Sequence, residues 1–287
     1  MMQRMCPWTP VRSMRFPISL VLVFFCACTI RAKAQDHGQE STGSAQAVQQ
    51  SESTITAVPN RPTFSTSAET VQRGVFEIEY GIEAADGHQN INGLLKFGLL
   101  KNLELRFANN PFERDAGISA LGDSGAGLKY RFVGERGRLP TISILYNATL
   151  PTSGDDLGAA GVNHAVGILF SKDFGRHHVD FNENVEWRSR SNADGFDRDF
   201  FTALAYSIAL PKRLGIATEI AGFSRVNSEN PPIITILPAL TFSASSRLVF
   251  DTGCYFAARG DLPRVTFFAG LTYSVADLYR SLHLVHR

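Results

Sequence analysis

Charged side chains recur at alternate positions of extended stretches in this chain: Glu77, Glu79, Lys96, Glu104, Arg106, Lys129, Arg131, Asp180, Glu186, Arg188, Glu219 and Asp251. Residues two apart on a strand share a face, so Glu104-Leu105-Arg106 and Lys129-Tyr130-Arg131 set charge on one side and grease on the other. Fixed charges around a water-filled bore decide which solutes it admits. The same charges, paired across neighbouring strands, would instead fill a narrow interior. Both readings stand at this level.

Nothing else has the spacing of a reactive centre. Nucleophilic catalysis needs a nucleophile beside a base, and the His-x-Ser arrangement of membrane-embedded lipases is absent, so no enzymatic role and no cofactor are expected. Neighbouring His177 and His178 would point apart on a strand, which disfavours a shared metal ion. The stretch Asn192 to Asp199 has Asp and Asn at alternate places, but it lacks the closing Glu of a calcium loop.

The elements that must carry these charges are strands. In Ile91 to Ala108, Ile91, Gly93, Leu95, Phe97 and Leu99 alternate with Asn92, Leu94, Lys96 and Gly98. Past Lys101-Asn102, Leu103, Leu105 and Phe107 oppose Glu104 and Arg106. The pattern returns over residues 74–83, 122–132, 141–150, 162–171, 179–188, 199–210, 214–223, 233–243, 247–257 and 264–275. That makes about twelve strands of about ten residues, the length that crosses a bilayer when tilted.

The polar face holds Gly, Ala, Ser, Asn and charges of both signs at strand centres. An open face in water would favour Lys, Thr and Glu, whereas an enclosed one needs small residues so that opposite walls can coexist. The expected fold is all-β: a single transmembrane antiparallel β-barrel. A soluble secreted sandwich is the competing class; it would gather Phe76, Ile78, Leu105, Ile144 and Leu271 into one dry centre. Two residues break the pattern, since His164 and Glu183 fall on the greasy face and ask for a bulge or a shifted strand limit. Pro238, inside a strand, also asks for a bulge.

Arg12 and Arg15 precede the apolar run 16–30, and Ala32-Lys33-Ala34 offers small residues for cleavage, so residues 1–34 are expected to be a signal peptide. Met14 is an alternative start. Three of the four cysteines leave with this segment, so no internal disulfide is expected in the mature chain. Five of the 28 basic residues and none of the 27 acidic ones leave with it, which gives a net charge of −4 and argues against a nucleic-acid partner. Residues 35–59, poor in apolar residues, are expected to be a disordered periplasmic leader, 60–275 the barrel, and 276–287 a C-terminal tail.

The segments Arg61 to Ser67 (RPTFSTS), Val71 to Tyr80 (VQRGVFEIEY), Asn102 to Phe107 (NLELRF), Gly127 to Phe132 (GLKYRF) and Leu150-Pro151-Thr152 carry a resemblance. Together they resemble the outer-membrane proteins named for the meta-pathway of phenol degradation. The resemblance covers roughly residues 60 to 275 and implies a single outer-membrane barrel in the uptake of small, often aromatic or hydrophobic compounds. It supplies no binding residues. Implied partners are membrane lipid, a small solute and the barrel-assembly machinery. The chain departs from the pattern in its tail, where Leu278, Leu282 and Val285 could form one side of a short helix. The expected function is a passive channel with a charged lumen; the alternative is a closed structural or adhesive barrel whose outer loops do the work.

Overall fold

The computed structural model describes residues 54–115, 117–153, 157–191, 193–224, 232–260 and 262–282. The expected signal segment 1–34 and the expected leader up to residue 53 lie outside the described residues. Thirteen strands follow one another: β1 (Val75–Ala85), β2 (His88–Leu100), β3 (Leu103–Asp115), β4 (Ile118–Ala120), β5 (Ser124–Val133), β6 (Thr141–Leu150), β7 (Asn163–Phe174), β8 (His177–Ser189), β9 (Phe196–Ala209), β10 (Leu214–Phe223), β11 (Ile233–Ser243), β12 (Leu248–Arg259) and β13 (Val265–Asp277). A one-turn helix, α1 (Leu278–Ser281), ends the described chain.

Every pairing between these strands is antiparallel. β1 bonds to β2 on one side and to β13 on the other, and the β2–β3 pairing completes the ring. β4 is a three-residue fold-back on the end of β3, so the closed barrel has 12 strands. A ring has no free edge, which is how a sheet satisfies its backbone where water is absent.

The two faces are inverted relative to a soluble protein. Leu105, Ile144, Ile168, Leu204, Ile220, Ile236 and Leu240 are exposed, while Glu77, Lys96, Glu104 and Lys129 are 0 % exposed. Leu105 and Ile144 therefore share no dry centre, and the sandwich class is excluded. No helix among the described residues is long and apolar enough to cross a membrane; here strands do so.

The structure adjusts several expectations. β1 runs on to Ala85 and β2 starts at His88, so the gap between the expected strands shrinks to Asp86-Gly87, and β3 and β4 take up part of the gap between Ala108 and residue 122. β9 begins at Phe196, which places half of the calcium-like stretch in a strand. There Asp197 pairs with Arg190 at 2.8 Å.

No bulge rescues His164 or Glu183, because the β7–β8 register is unbroken. Both stay on the outer face with polar neighbours instead: Tyr146 Oη lies 2.9 Å from His164 Nδ1, and Thr202 Oγ1 donates to Glu183 at 2.6 Å. Nor does Pro238 shift the register. The ladder from β11 to β12 skips Leu237 and Pro238, and Gly253 leaves room there, since a Cβ on it would lie 2.5 Å from the Pro238 carbonyl oxygen. The bulge falls at Ile234/Thr235 instead. In the tail, the Asp277 side chain caps α1 by accepting from Arg280 N, and Tyr279 Oη donates to Leu99 O at 2.8 Å.

Candidate functional site: a strap through the barrel

The largest departure from expectation precedes β1. Residues 54–73 form neither leader nor strand. They pass through the barrel interior as a strap that enters and leaves at the end carrying the β2–β3 and β11–β12 turns. Ala57 N donates to Ser246 O in one such turn at 2.8 Å, and at the far end of the strap Gly74 N donates to Gly98 O at 2.7 Å. The boundary expected at residue 59 thus moves: residues 54–59 already hold the wall.

An extended segment enclosed by a barrel has no strand partner for its peptide groups, yet buried N–H groups need acceptors. The wall side chains supply them. Val58 N donates to Glu77 Oε2 at 3.0 Å and Asn60 N to Glu79 Oε1 at 2.9 Å. Phe64 N and Ser65 N donate to the two oxygens of Glu219, each at 2.7 Å. Asn182 clamps Thr66 from both sides, accepting from its N at 2.6 Å and donating to its O at 2.9 Å. Ser171 takes Ala68 N at 2.7 Å, and Glu104 takes Val71 N at 2.8 Å. Lys96 and Lys129 donate to the carbonyls of Val58 and Ser67 at 2.6 and 3.0 Å. The strap therefore runs round the interior from β1 past β10, β8 and β7 to β3.

Arg61 anchors the circuit. Its guanidinium binds Asp251 in β12 at 3.1 Å, donates to Asn92 in β2 at 2.9 Å, and lies over the Phe268 ring. It fits because Gly81 and Gly270 face each other across β1 and β13; a Cβ on either would come within 2.4 Å of it.

All twelve sequence-selected charges face the interior, in separate groups. Glu77, Glu79, Lys96, Glu104, Arg106 and Lys129 form one network: Lys96 bridges Glu77 and Glu79, and Glu104 serves both Arg106 (3.0 Å) and Lys129 (3.4 Å). Arg131 reaches Glu69 of the strap rather than a wall acid. Glu219 and Asp251 bind only strap groups among the described contacts. Asp180 meets Ser171 and His178, and Glu186 and Arg188 meet near Asp199, towards the β8–β9 connection. His177 and His178 do part, His177 to Tyr206 on the outside and His178 to Asp180 within.

Sequence reasoning missed Glu83, Asn92, Asn182 and Asp199 as site residues, although strand parity from Glu79, Lys96, Asp180 and Ala203 would have included them. It also missed the strap residues Asn60, Arg61 and Phe64, for which alternation carries no signal.

Two recesses flank the strap. One, of about 390 Å³, is walled by β1, β2, β3, β5, β6 and β11 to β13. The other, of about 860 Å³, opens among the short turns near Lys101, Arg131 and Ser246. Asn60, Arg61, Pro62 and Thr63 line both, so the strap is the wall between them.

A closed antiparallel barrel with a greasy exterior and a charged, strap-filled interior defines an outer-membrane β-barrel of porin-like architecture. Solved structures agree on the fold. The KdgM porin superposes with a TM-score of 0.53 at 11% identity, covering 70% of this chain and 99% of that one. The NanC porin gives 0.54 at 8%, covering 70% and 100%. The chain belongs to the family described as "Putative MetA-pathway of phenol degradation", whose model matches residues 59–275 and so takes in most of the strap. No curated protein matches the sequence. The protein resides in the outer membrane of a Gram-negative bacterium.

Proposed function

We propose that the protein is a passive outer-membrane channel for small solutes, and that its interior charges line the route. The observation that carries this reading is the barrel's polarity: charged and small side chains enclosed, apolar ones outside. The family's association with phenol degradation supports small aromatic or hydrophobic compounds as the solutes. On this reading the chain has no enzymatic role, and the strap stands between the two recesses, so a crossing solute displaces it.

A second reading, a closed structural barrel, is favoured by one observation: wall side chains accept from seven strap N–H groups between Val58 and Val71. Planar-bilayer recording separates the two. Discrete conductance steps whose ion selectivity changes in Lys129→Gln establish the channel. A silent bilayer from protein that keeps its heat-modifiable migration establishes the closed barrel.

A further inference from the structure

The smaller recess has a chemical character of its own. One wall is stripped of bulk, because Ala108, Gly125 and Gly127 present almost no side chain. Facing it, Phe64 of the strap meets the Tyr255 ring edge-on at 5.1 Å, with Phe268 and Leu237 completing an apolar side. Its volume, about 390 Å³, lies within the range of small-molecule sites.

Arg61, Arg106, Glu79 and Glu83 bring two cations and two acids to this space, and of the cations Arg106 has unused capacity. Arg106 is only 8% exposed; its Nη1 is taken by Glu104 at 3.0 Å, but its buried Nε has no hydrogen-bond partner among the described residues. Glu104 must also serve Lys129 and the Val71 N–H, so its two oxygens are shared among three donors. A desolvated guanidinium with a free N–H is a carboxylate receptor by geometry and charge. Across the same recess Asn60 Oδ1 is buried without a donor.

We infer that this recess is a binding site for a small monocarboxylate with a flat apolar body, the carboxylate on Arg106 and the body between the stripped wall and Phe64, Tyr255 and Phe268. The strap supplies its floor, so the ligand binds with the strap in place, before passage. The inference rests on the channel reading for its purpose, but its test does not depend on transport.

Calorimetry on the full-length mature protein in detergent would use benzoate as the probe, with benzyl alcohol and glucuronate alongside. Benzoate is expected to bind, and Arg106→Gln to weaken it at least tenfold. Ala108→Leu, which fills the recess and leaves every charge intact, is expected to weaken it comparably. Benzyl alcohol and glucuronate should bind at least tenfold more weakly, the first for want of charge and the second for want of an apolar body. Benzoate affinity unmoved by either variant, absence of binding, or preference for glucuronate overturns the proposal. Absence of binding in protein that still conducts sinks the site alone; binding in protein that is silent in bilayers sinks the channel alone.

Discussion

At the scale of single residues, the interior acids act as peptide acceptors. Glu219 is the clearest case, its two oxygens each taking one of two successive strap N–H groups at 2.7 Å. An amide offers one acceptor oxygen where the carboxylate offers two, so Glu219→Gln leaves one buried N–H facing a donor, a cost of about 1–3 kcal/mol. Hydrogen exchange at Phe64 and Ser65 should then quicken about tenfold or more, with the barrel ladders unchanged. Unaltered exchange there would mean that the strap is held without this carboxylate. The sequence announced that Glu219 faces inward, because Leu214, Ile216 and Ile220 set the phase of its strand. It could not announce the partner, since backbone N–H groups have no identity in a sequence and Phe64 lies far away along the chain.

At the scale of elements, strands were legible and the strap was not. Every strand but β4 announces itself by period-two alternation; β6, β10 and β11 fall at the limits that pattern sets. The strap has no period because its contacts pass irregularly from strand to strand round the barrel, and its Ser, Thr and Pro resemble an ordinary linker. The only hint lay in the glycines of the polar face. At Gly98 a Cβ would meet Gln72 O at 2.1 Å, so that glycine is a place kept for other backbone.

Strap displacement during passage is testable by tying it down. Ser67 and Ser171 approach to 3.4 Å between Oγ atoms, and Cys254 is the free thiol to remove first. With Cys254→Ser in place, oxidised Ser67→Cys/Ser171→Cys should slow liposome swelling several-fold, and reductant should restore it. Swelling that ignores the cross-link would show that solutes slip past a stationary strap.

At the scale of the molecule, inversion governs stability. Ile144 sits mid-strand on the outer face at 47% exposure, where a soluble protein would accept a charge freely. In hydrocarbon, Ile144→Arg should lower the unfolding free energy by about 2–4 kcal/mol, read by urea titration in lipid vesicles. A change near zero would place that girth of the barrel in water. His164 and Glu183 reach the same surface with polar partners, an arrangement alternation could flag as irregular but not resolve, because the partners Tyr146 and Thr202 sit on other strands.

Arg61 also does something for the barrel as a closed object. The first and last strands meet at β1 and β13, and the Arg61 guanidinium spans that joint from within, tied to β12 on one flank and β2 on the other. A cylinder made from one ribbon lasts only while its two ends stay zipped together, and here an internal clasp lies over that very zip. Warmed or pulled sideways, a barrel robbed of the clasp should come apart first along this line.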